Sequence, residues 1–344
     1  MDNINQLIRE NIANLLPYSS ARDEFSGTEG IFLDANENPF GSLNRYPDPY
    51  QWRLKQILSS KKKVAIENIL IGNGSDEIID LVQRVFGEPN EDAIIICPPT
   101  YGMYEVYANI NNLKIISIPL TENFELNTEA ILEQKAKILC LCSPNNPTGN
   151  SLENLECIIQ NFNGIVFVDE AYIDFSKQRS LVEKIKIYPN LIVSQTFSKA
   201  RGLAAARIGI AYANAEIIKV LSKVKPPYNV SELNQEAAIN TLADDSVFRK
   251  NIDLIIEERE KLKIALSKFE FVTNIYPSDA NFLLVEMENS IAIFEALIER
   301  QIITRNRNSV VKNTIRITVG TPQENQLLVY TLQLIKDEKS IIYR

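Results

Sequence analysis

The chain has 344 residues, 45% of them hydrophobic, and its 36 basic and 44 acidic side chains give a formal net charge of -8. That length can enclose one large and one smaller core, and an acidic balance without a basic arm or polybasic block argues against nucleic-acid and membrane-surface partners. Histidine is absent, which excludes Ser-His-Asp hydrolysis, Cys-His nucleophiles and histidine-bearing metal centres and leaves proton transfer to Lys, Tyr, Asp, Glu or Cys.

In chain order, Met1-Asp2-Asn3-Ile4-Asn5 lacks the charged and apolar regions of a secretory signal. No apolar run approaches the ~20 residues that span a bilayer, so a cytoplasmic protein is expected. Helical spacing of Ile4, Leu7, Ile8, Ile12 and Leu15 stops at Pro17, and an irregular arm follows. Lys61-Lys62-Lys63 reads as a solvated helix end. From residue 69 to 213, apolar β-rich runs at 69–71, 93–96, 115–118, 138–142, 165–168, 191–193 and 208–211 alternate with helical periodicity. Runs that are apolar on both faces suit a mainly parallel sheet covered by helices. After Pro226-Pro227 a long helical pattern over 232–269 leads to strand candidates at 282–285 and 315–319, with helices near 291–299 and 324–336.

The expected architecture is therefore α/β. A large domain over residues 41–240 has a mainly parallel sheet flanked by helices, a small α+β domain covers 241–344, and an arm over 1–40 joins them. No Pro/Gly/Ser linker separates these regions, so they should pack together. Cys97, Cys140, Cys142 and Cys157 lie on or beside apolar segments without metal-ligand spacing and read as reduced core residues.

In parallel sheets ligands gather beyond the carboxyl ends of the strands, and polar clusters follow the strand candidates here. Asp169 ends Ile165-Val166-Phe167-Val168, and Lys199 lies in Thr196-Phe197-Ser198-Lys199 after the next run. A lysine amine condenses with an aldehyde to an imine, the linkage pyridoxal phosphate uses while its ring acts as an electron sink. That ring needs a carboxylate at its protonated nitrogen, which Asp169 can supply; the alternative is a helix-capping Asp and a surface Lys. Gly74-Ser75-Asp76 opens a helix candidate over 76–86 directly after a strand, where N–H groups and the helix dipole suit a phosphate. A tight turn with Ser75 or Asp76 as N-cap is the plainer reading, and the third glycine of a dinucleotide fingerprint is missing. Thr196, Ser198 and Arg207 can add hydroxyl and cationic contacts, although a lone arginine is more often a surface charge.

Several segments occur together in an ordered series: Asn36-Glu37-Asn38-Pro39, Arg45-Tyr46-Pro47-Asp48, Gly72-Asn73-Gly74-Ser75-Asp76-Glu77, Ser143-Pro144-Asn145-Asn146-Pro147-Thr148-Gly149, Val168-Asp169-Glu170-Ala171-Tyr172, Thr196-Phe197-Ser198-Lys199 and Arg316-Ile317-Thr318-Val319-Gly320. In that order the chain resembles fold-type-I aminotransferases, and among them the histidinol-phosphate aminotransferase family, from about residue 14 to 329. The resemblance implies that Lys199 forms the imine with pyridoxal phosphate, that Asp169 pairs with the pyridine nitrogen and that Asn146 and Tyr172 hydrogen-bond the phenolic oxygen. It further implies that Tyr101 stacks on the ring and that Gly74, Ser75 and Asp76, with Ser198 and Arg207, hold the phosphate. Tyr46 would reach the cofactor phosphate of a neighbouring subunit, which makes a homodimer part of the expectation.

For substrate, Arg316 resembles the arginine that such enzymes aim at an anionic group, and Arg305 and Tyr18 match positions near the substrate phosphate. Asn36 and Tyr228 are weaker candidates for the pocket lining. Arg307 leaves an ambiguity, since strand alternation can present either Arg305 or Arg307. The implied reaction moves the amino group of L-histidinol phosphate to 2-oxoglutarate by a ping-pong route, giving imidazole-acetol phosphate and L-glutamate; no metal is implied. The rival readings keep the cofactor and change the substrate, as in an aromatic amino-acid aminotransferase or a phosphothreonine decarboxylase-like enzyme. The segment Gly202-Leu203-Ala204-Ala205-Ala206-Arg207 departs from the family pattern in having alanine where a second glycine is common.

Overall fold

The computed structural model describes residues 4–18 and 30–338. Two short helices, α1 (Ile4–Leu7) and α2 (Glu10–Ala13), precede α3 (Trp52–Lys62). Strands and helices then alternate: β1 (Ile69–Asn73), α4 (Ser75–Phe86), β2 (Ala93–Ile96), α5 (Met103–Ile110), β3 (Lys114–Ser117), α6 (Thr128–Leu132), β4 (Ile138–Cys142), α7 (Leu155–Asn161) and β5 (Ile165–Asp169). They continue through β6 (Leu191–Thr196), β7 (Ile208–Ala213), α8 (Ala215–Val224), α9 (Glu232–Leu242) and α10 (Asp245–Leu266). The carboxyl-terminal part holds β8 (Val272–Ile275), β9 (Phe282–Met287), α11 (Ser290–Glu299), β10 (Arg305–Asn306), β11 (Thr314–Thr318) and α12 (Pro322–Asp337).

The first seven strands form one sheet in the order β1-β7-β6-β5-β4-β2-β3. All neighbours are parallel except β7, which runs antiparallel to both β1 and β6. A parallel pair needs a long crossover, whereas residues 197–207 return directly from β6 to β7 and so force the reversal. That return loop carries Lys199 and Arg207. Alternate residues of the central strands feed opposite cores: Leu139, Leu141, Val166 and Val168 pack on one face, Ile138, Cys140, Ile165 and Phe167 on the other. At ~25 cal/mol per Å² of apolar surface removed from water, these two layers supply most of the drive that holds the sheet.

The second sheet is antiparallel, in the order β10-β11-β9-β8. Leu283, Val285 and Ile317 pack there against Leu262 and Leu266 of α10, Leu297 of α11 and Leu328 and Leu332 of α12. A smaller cluster of Tyr172, Phe175, Ala200, Ile252, Ala280 and Phe282 joins the two sheets beneath the strand ends. The joint is also polar: Ser151 Oγ donates to Asp279 at 2.6 Å, and the Asp279 N–H donates to the Gly149 carbonyl at 2.7 Å.

Some expectations are corrected. The helix expected over 232–269 is two helices, broken where Asp244 caps α10 by accepting from the Ser246 and Val247 N–H groups at 2.9 and 3.1 Å. The helix-like start is likewise split at Arg9, whose guanidinium reaches Glu88 at 3.2 Å and the Arg84 carbonyl at 2.9 Å. Cys97, Cys140 and Cys142 are buried, but Cys157 is exposed on α7 and is no core residue. The Lys61-Lys62-Lys63 run does form an exposed end of α3, as expected, where Lys61 pairs with Asp245 at 2.6 Å.

Candidate active site

A cavity of about 300 Å³ opens at the carboxyl ends of β4, β5 and β6, and Asp169, Lys199 and Asn146 all line it. That volume lies at the lower end of what small-molecule sites occupy. Asp169 ends β5, and because its strand is central the carboxylate is buried. Its Oδ2 accepts from the Tyr104 hydroxyl at 3.0 Å and its Oδ1 from the Ala171 N–H at 3.1 Å. Burial pushes the carboxyl up to about 6, against the pull of those two hydrogen bonds. Lys199 is held lower than an ordinary lysine, by burial first and by Arg316 second, with Asp169 opposing. Its ammonium group lies 5.5 Å from the centroid of the Tyr172 ring. Tyr172 is buried, edge-on to Phe282 at 5.2 Å, and burial pushes its phenol up.

The amino end of α4 forms one wall. Gly74 is the N-cap with φ +80 and brings no side chain to the helix end, so the first N–H groups of α4 stay without a side-chain cap. A Cβ at Gly74 would stand 2.5 Å from Arg207 Nη2, and a Cβ at Gly209 on β7 would stand 2.3 Å from the Gly74 carbonyl carbon and the Ser75 nitrogen. Glycine at both positions lets β7, the turn and Arg207 close on one another. Ser75, Asp76, Ser198 and Arg207 line the cavity at this wall. Arg207 Nη2 lies 3.4 Å from Asp76 Oδ2, and the Tyr101 hydroxyl donates to Asp76 Oδ1 at 3.0 Å. Thr196 also lines the cavity, but its hydroxyl donates to the Ile208 carbonyl at 3.2 Å and accepts from the Ser198 N–H at 3.1 Å.

The opposite wall is cationic. Arg305 of β10 stands directly across from Arg316 of β11, and Arg305, Arg307 and Arg316 all line the cavity. Arg316 donates to Asn146 Oδ1, so that oxygen is engaged and the side chain meets a ligand as a donor through its NH2 group. Among the described residues, the buried Nε groups of Arg307 and Arg316 have no hydrogen-bond partner. A buried guanidinium N–H without a partner costs free energy that an oxyanion would recover, so the donor set suits an anionic ligand. Residues two apart in an extended chain share a face, so alternation does not choose between Arg305 and Arg307: both line the cavity, Arg305 exposed and Arg307 half-buried.

The single chain does not bring every expected residue here. Tyr46 stacks on Tyr228 at 4.4 Å and shares a separate cleft with Asn36. Tyr18 lines a third cleft, with Pro49, Lys55 and Lys225. Two residues of the site lie outside the motifs: Gly209, within a strand, and Tyr104, whose contact with Asp169 spans 65 residues. The local signal for Gly209 was a glycine inside an apolar strand, the mark of a close backbone approach. Among the described residues no group of His, Cys, Asp and Glu suits a metal ion, and no helix is long and apolar enough to cross a membrane.

This fold and cavity are those of a known enzyme class: the chain matches the family model for aminotransferases of class I and II over residues 28–332 and belongs to that family. Within the class, it is 49% identical over 342 residues to the histidinol-phosphate aminotransferase of Cytophaga hutchinsonii, covering 96% of this chain and 98% of that one. At that identity over nearly the whole length, the chain is a member of the histidinol-phosphate aminotransferase family. The fold agrees with solved structures. The histidinol-phosphate aminotransferase from Clostridium acetobutylicum superposes with a TM-score of 0.79 at 24% identity, covering 86% of this chain and 92% of that one. The enzyme from Sinorhizobium meliloti in complex with pyridoxal-5'-phosphate superposes with a TM-score of 0.77 at 24% identity, covering 83% and 81%.

Proposed function

We propose that this protein uses pyridoxal phosphate to transfer the amino group of L-histidinol phosphate to 2-oxoglutarate, giving imidazole-acetol phosphate and L-glutamate. The observation that carries the reading is one cavity containing Lys199, the buried Asp169 and the two arginines with unpartnered Nε groups. The residues fit the cofactor by their chemistry. A buried carboxylate whose proton affinity is raised is stabilised by a cation at its open side, as a protonated ring nitrogen would be. When bound, pyridoxal phosphate supplies an electron sink for the pair released at the substrate α-carbon.

The chain's residues do the rest. Lys199 would hold the cofactor at its aldehyde carbon, and its free amine would carry the proton taken from the substrate α-carbon. A reference lysine, with a pKa of ~10.4, is a poor base at neutral pH, and burial beside Arg316 corrects this by favouring the neutral amine. Asp169 would hold the ring nitrogen, Asn146 and Tyr172 would donate to the phenolic oxygen and Tyr101 would pack on the ring. The N–H groups of Ser75 and Asp76, with the Ser198 and Arg207 side chains, would bind the cofactor phosphate, whereas the Gly74 N–H is given to the Gly72 carbonyl at 2.9 Å and the Thr196 hydroxyl to the Ile208 carbonyl at 3.2 Å, so these two residues shape the cradle. Tyr46, exposed here and stacked on Tyr228, completes that phosphate site in the partner of a homodimer. Arg316, with Arg305 and Arg307, takes the substrate phosphate in one half-reaction and the γ-carboxylate in the other, with Tyr18, Asn36 and Tyr228 bordering the pocket in the dimer. The working location is the cytoplasm.

The deciding experiment adds histidinol phosphate, without a keto acid, to the cofactor-loaded enzyme and follows its absorbance. Conversion to the amine form of the cofactor is expected. Phenylalanine and O-phosphothreonine serve as competing substrates: an enzyme that ignores histidinol phosphate and converts either of them has another substrate, and this reading fails.

A further inference from the structure

Tyr104 does not line the cavity, yet it is fully buried on α5 with its hydroxyl 3.0 Å from Asp169 Oδ2. Its ring is fixed edge-on between Tyr101 at 5.6 Å and Phe167 at 6.3 Å, which holds the hydroxyl at Asp169 with the Cys142 thiol beside it. The other carboxylate oxygen is taken by the Ala171 N–H at 3.1 Å. Each oxygen of an ionised carboxylate accepts about two hydrogen bonds. One site on each therefore remains for a ligand, in a plane set by two donors that approach from protein. Hydrogen bonds to a charged carboxylate also favour that charged form, and these two oppose the effect of burial on Asp169.

We infer that Tyr104 is a positioning residue for cofactor recognition: its O–H···O bond fixes the plane of Asp169 and keeps the carboxylate ionised, so that Asp169 distinguishes a protonated ring nitrogen from a neutral ring. This rests on the reading above that Asp169 faces that nitrogen. The residue acts through Asp169 and touches neither substrate nor reacting atoms.

The test measures binding of two probes to the cofactor-free enzyme, pyridoxal phosphate and 1-deazapyridoxal phosphate, whose ring nitrogen is replaced by CH. Wild type should hold the natural compound at least tenfold more tightly. Tyr104→Phe, which keeps the ring and removes one oxygen, should lose most of that preference through weaker binding of pyridoxal phosphate, with analogue affinity within twofold of wild type. If wild type binds both probes equally, the assignment of Asp169 to the ring nitrogen falls. If wild type discriminates and Tyr104→Phe discriminates as strongly, or loses affinity for both probes alike, Tyr104 is packing only and the inference is overturned. A second readout is independent of the affinities. The ¹⁵N resonance of ring-labelled pyridoxal phosphate should move in Tyr104→Phe toward that of unprotonated pyridine, and an unchanged resonance opposes the inference.

Discussion

Asp169→Asn should make the cofactor-free protein more stable at pH 8, although it removes a residue assigned to cofactor binding. Burial raises the carboxyl from 3.8 to about 6. An acid whose folded pKa is raised is a burden when charged: the cost is absent below the unfolded pKa, grows between the two values and is complete above pH 6. Converted at 1.36 kcal/mol per pKa unit, the burden is about 3 kcal/mol at pH 8 and about half of that at pH 5. Asparagine carries no charge but cannot accept from both the Tyr104 hydroxyl and the Ala171 N–H, a loss of about 1 kcal/mol. The expected net gain is therefore about 2 kcal/mol at pH 8, shrinking to under about 1 kcal/mol at pH 5. Urea denaturation of both cofactor-free proteins at fixed chain concentration and both pH values measures it. Saturating pyridoxal phosphate should reverse the order, since only wild type offers the ring nitrogen an anion. A cofactor-free Asp169→Asn protein that is less stable than wild type at pH 8, or whose advantage does not change with pH, refutes the reasoning.

Three further outcomes follow from geometry. Gly209→Ala sets a methyl 2.3 Å from backbone atoms of Gly74 and Ser75; the turn must move, and urea and cofactor titrations should show a loss of ~1–3 kcal/mol in stability together with weaker pyridoxal phosphate binding. Arg307→Ala should raise KM for histidinol phosphate by roughly 10- to 100-fold, the worth of a charge-assisted contact of ~1.5–3 kcal/mol, and Arg305→Ala, at the exposed rim, should raise it less; steady-state kinetics showing the reverse order would reassign the two. Titrating the native protein with a thiol reagent should modify Cys157 alone, since the other three thiols are buried and buried thiols in apolar surroundings are inert; rapid reaction of a second thiol would contradict the packing around β2 or β4.

The seven strands of the large sheet were legible because each is apolar on both faces and short, a pattern helices do not share. The reversal of β7 was less so: Ile208-Gly209-Ile210-Ala211 looks the same in either direction, and only the brevity of the preceding loop decides. Strand β8 left no trace because Thr273 and Asn274 are polar and exposed, as edge strands often are. Of the candidate site, the Lys199, Asp169 and Asn146 group was readable from the motifs that end strands. Tyr104 and Gly209 were not, because their roles are contacts with residues far away in the chain, which no local period encodes. Arg305 and Arg307, two residues apart, share a face by strand alternation, so the either-or expectation gives way to both lining the cavity.

The protein as a whole repels anions, with its formal charge of -8, while its cavity presents Lys199, Arg207, Arg305, Arg307 and Arg316 against only Asp76 and Asp169. A phosphorylated substrate arriving by diffusion therefore meets a net-repulsive protein and a locally attractive cavity. Long-range guidance of this kind is screened beyond ~8 Å at physiological ionic strength. Added salt should act on it in two ways, muting the repulsion over the exterior as well as the attraction at the mouth, so that the speed of capture reflects the balance of the two fields rather than the affinity of the bound state.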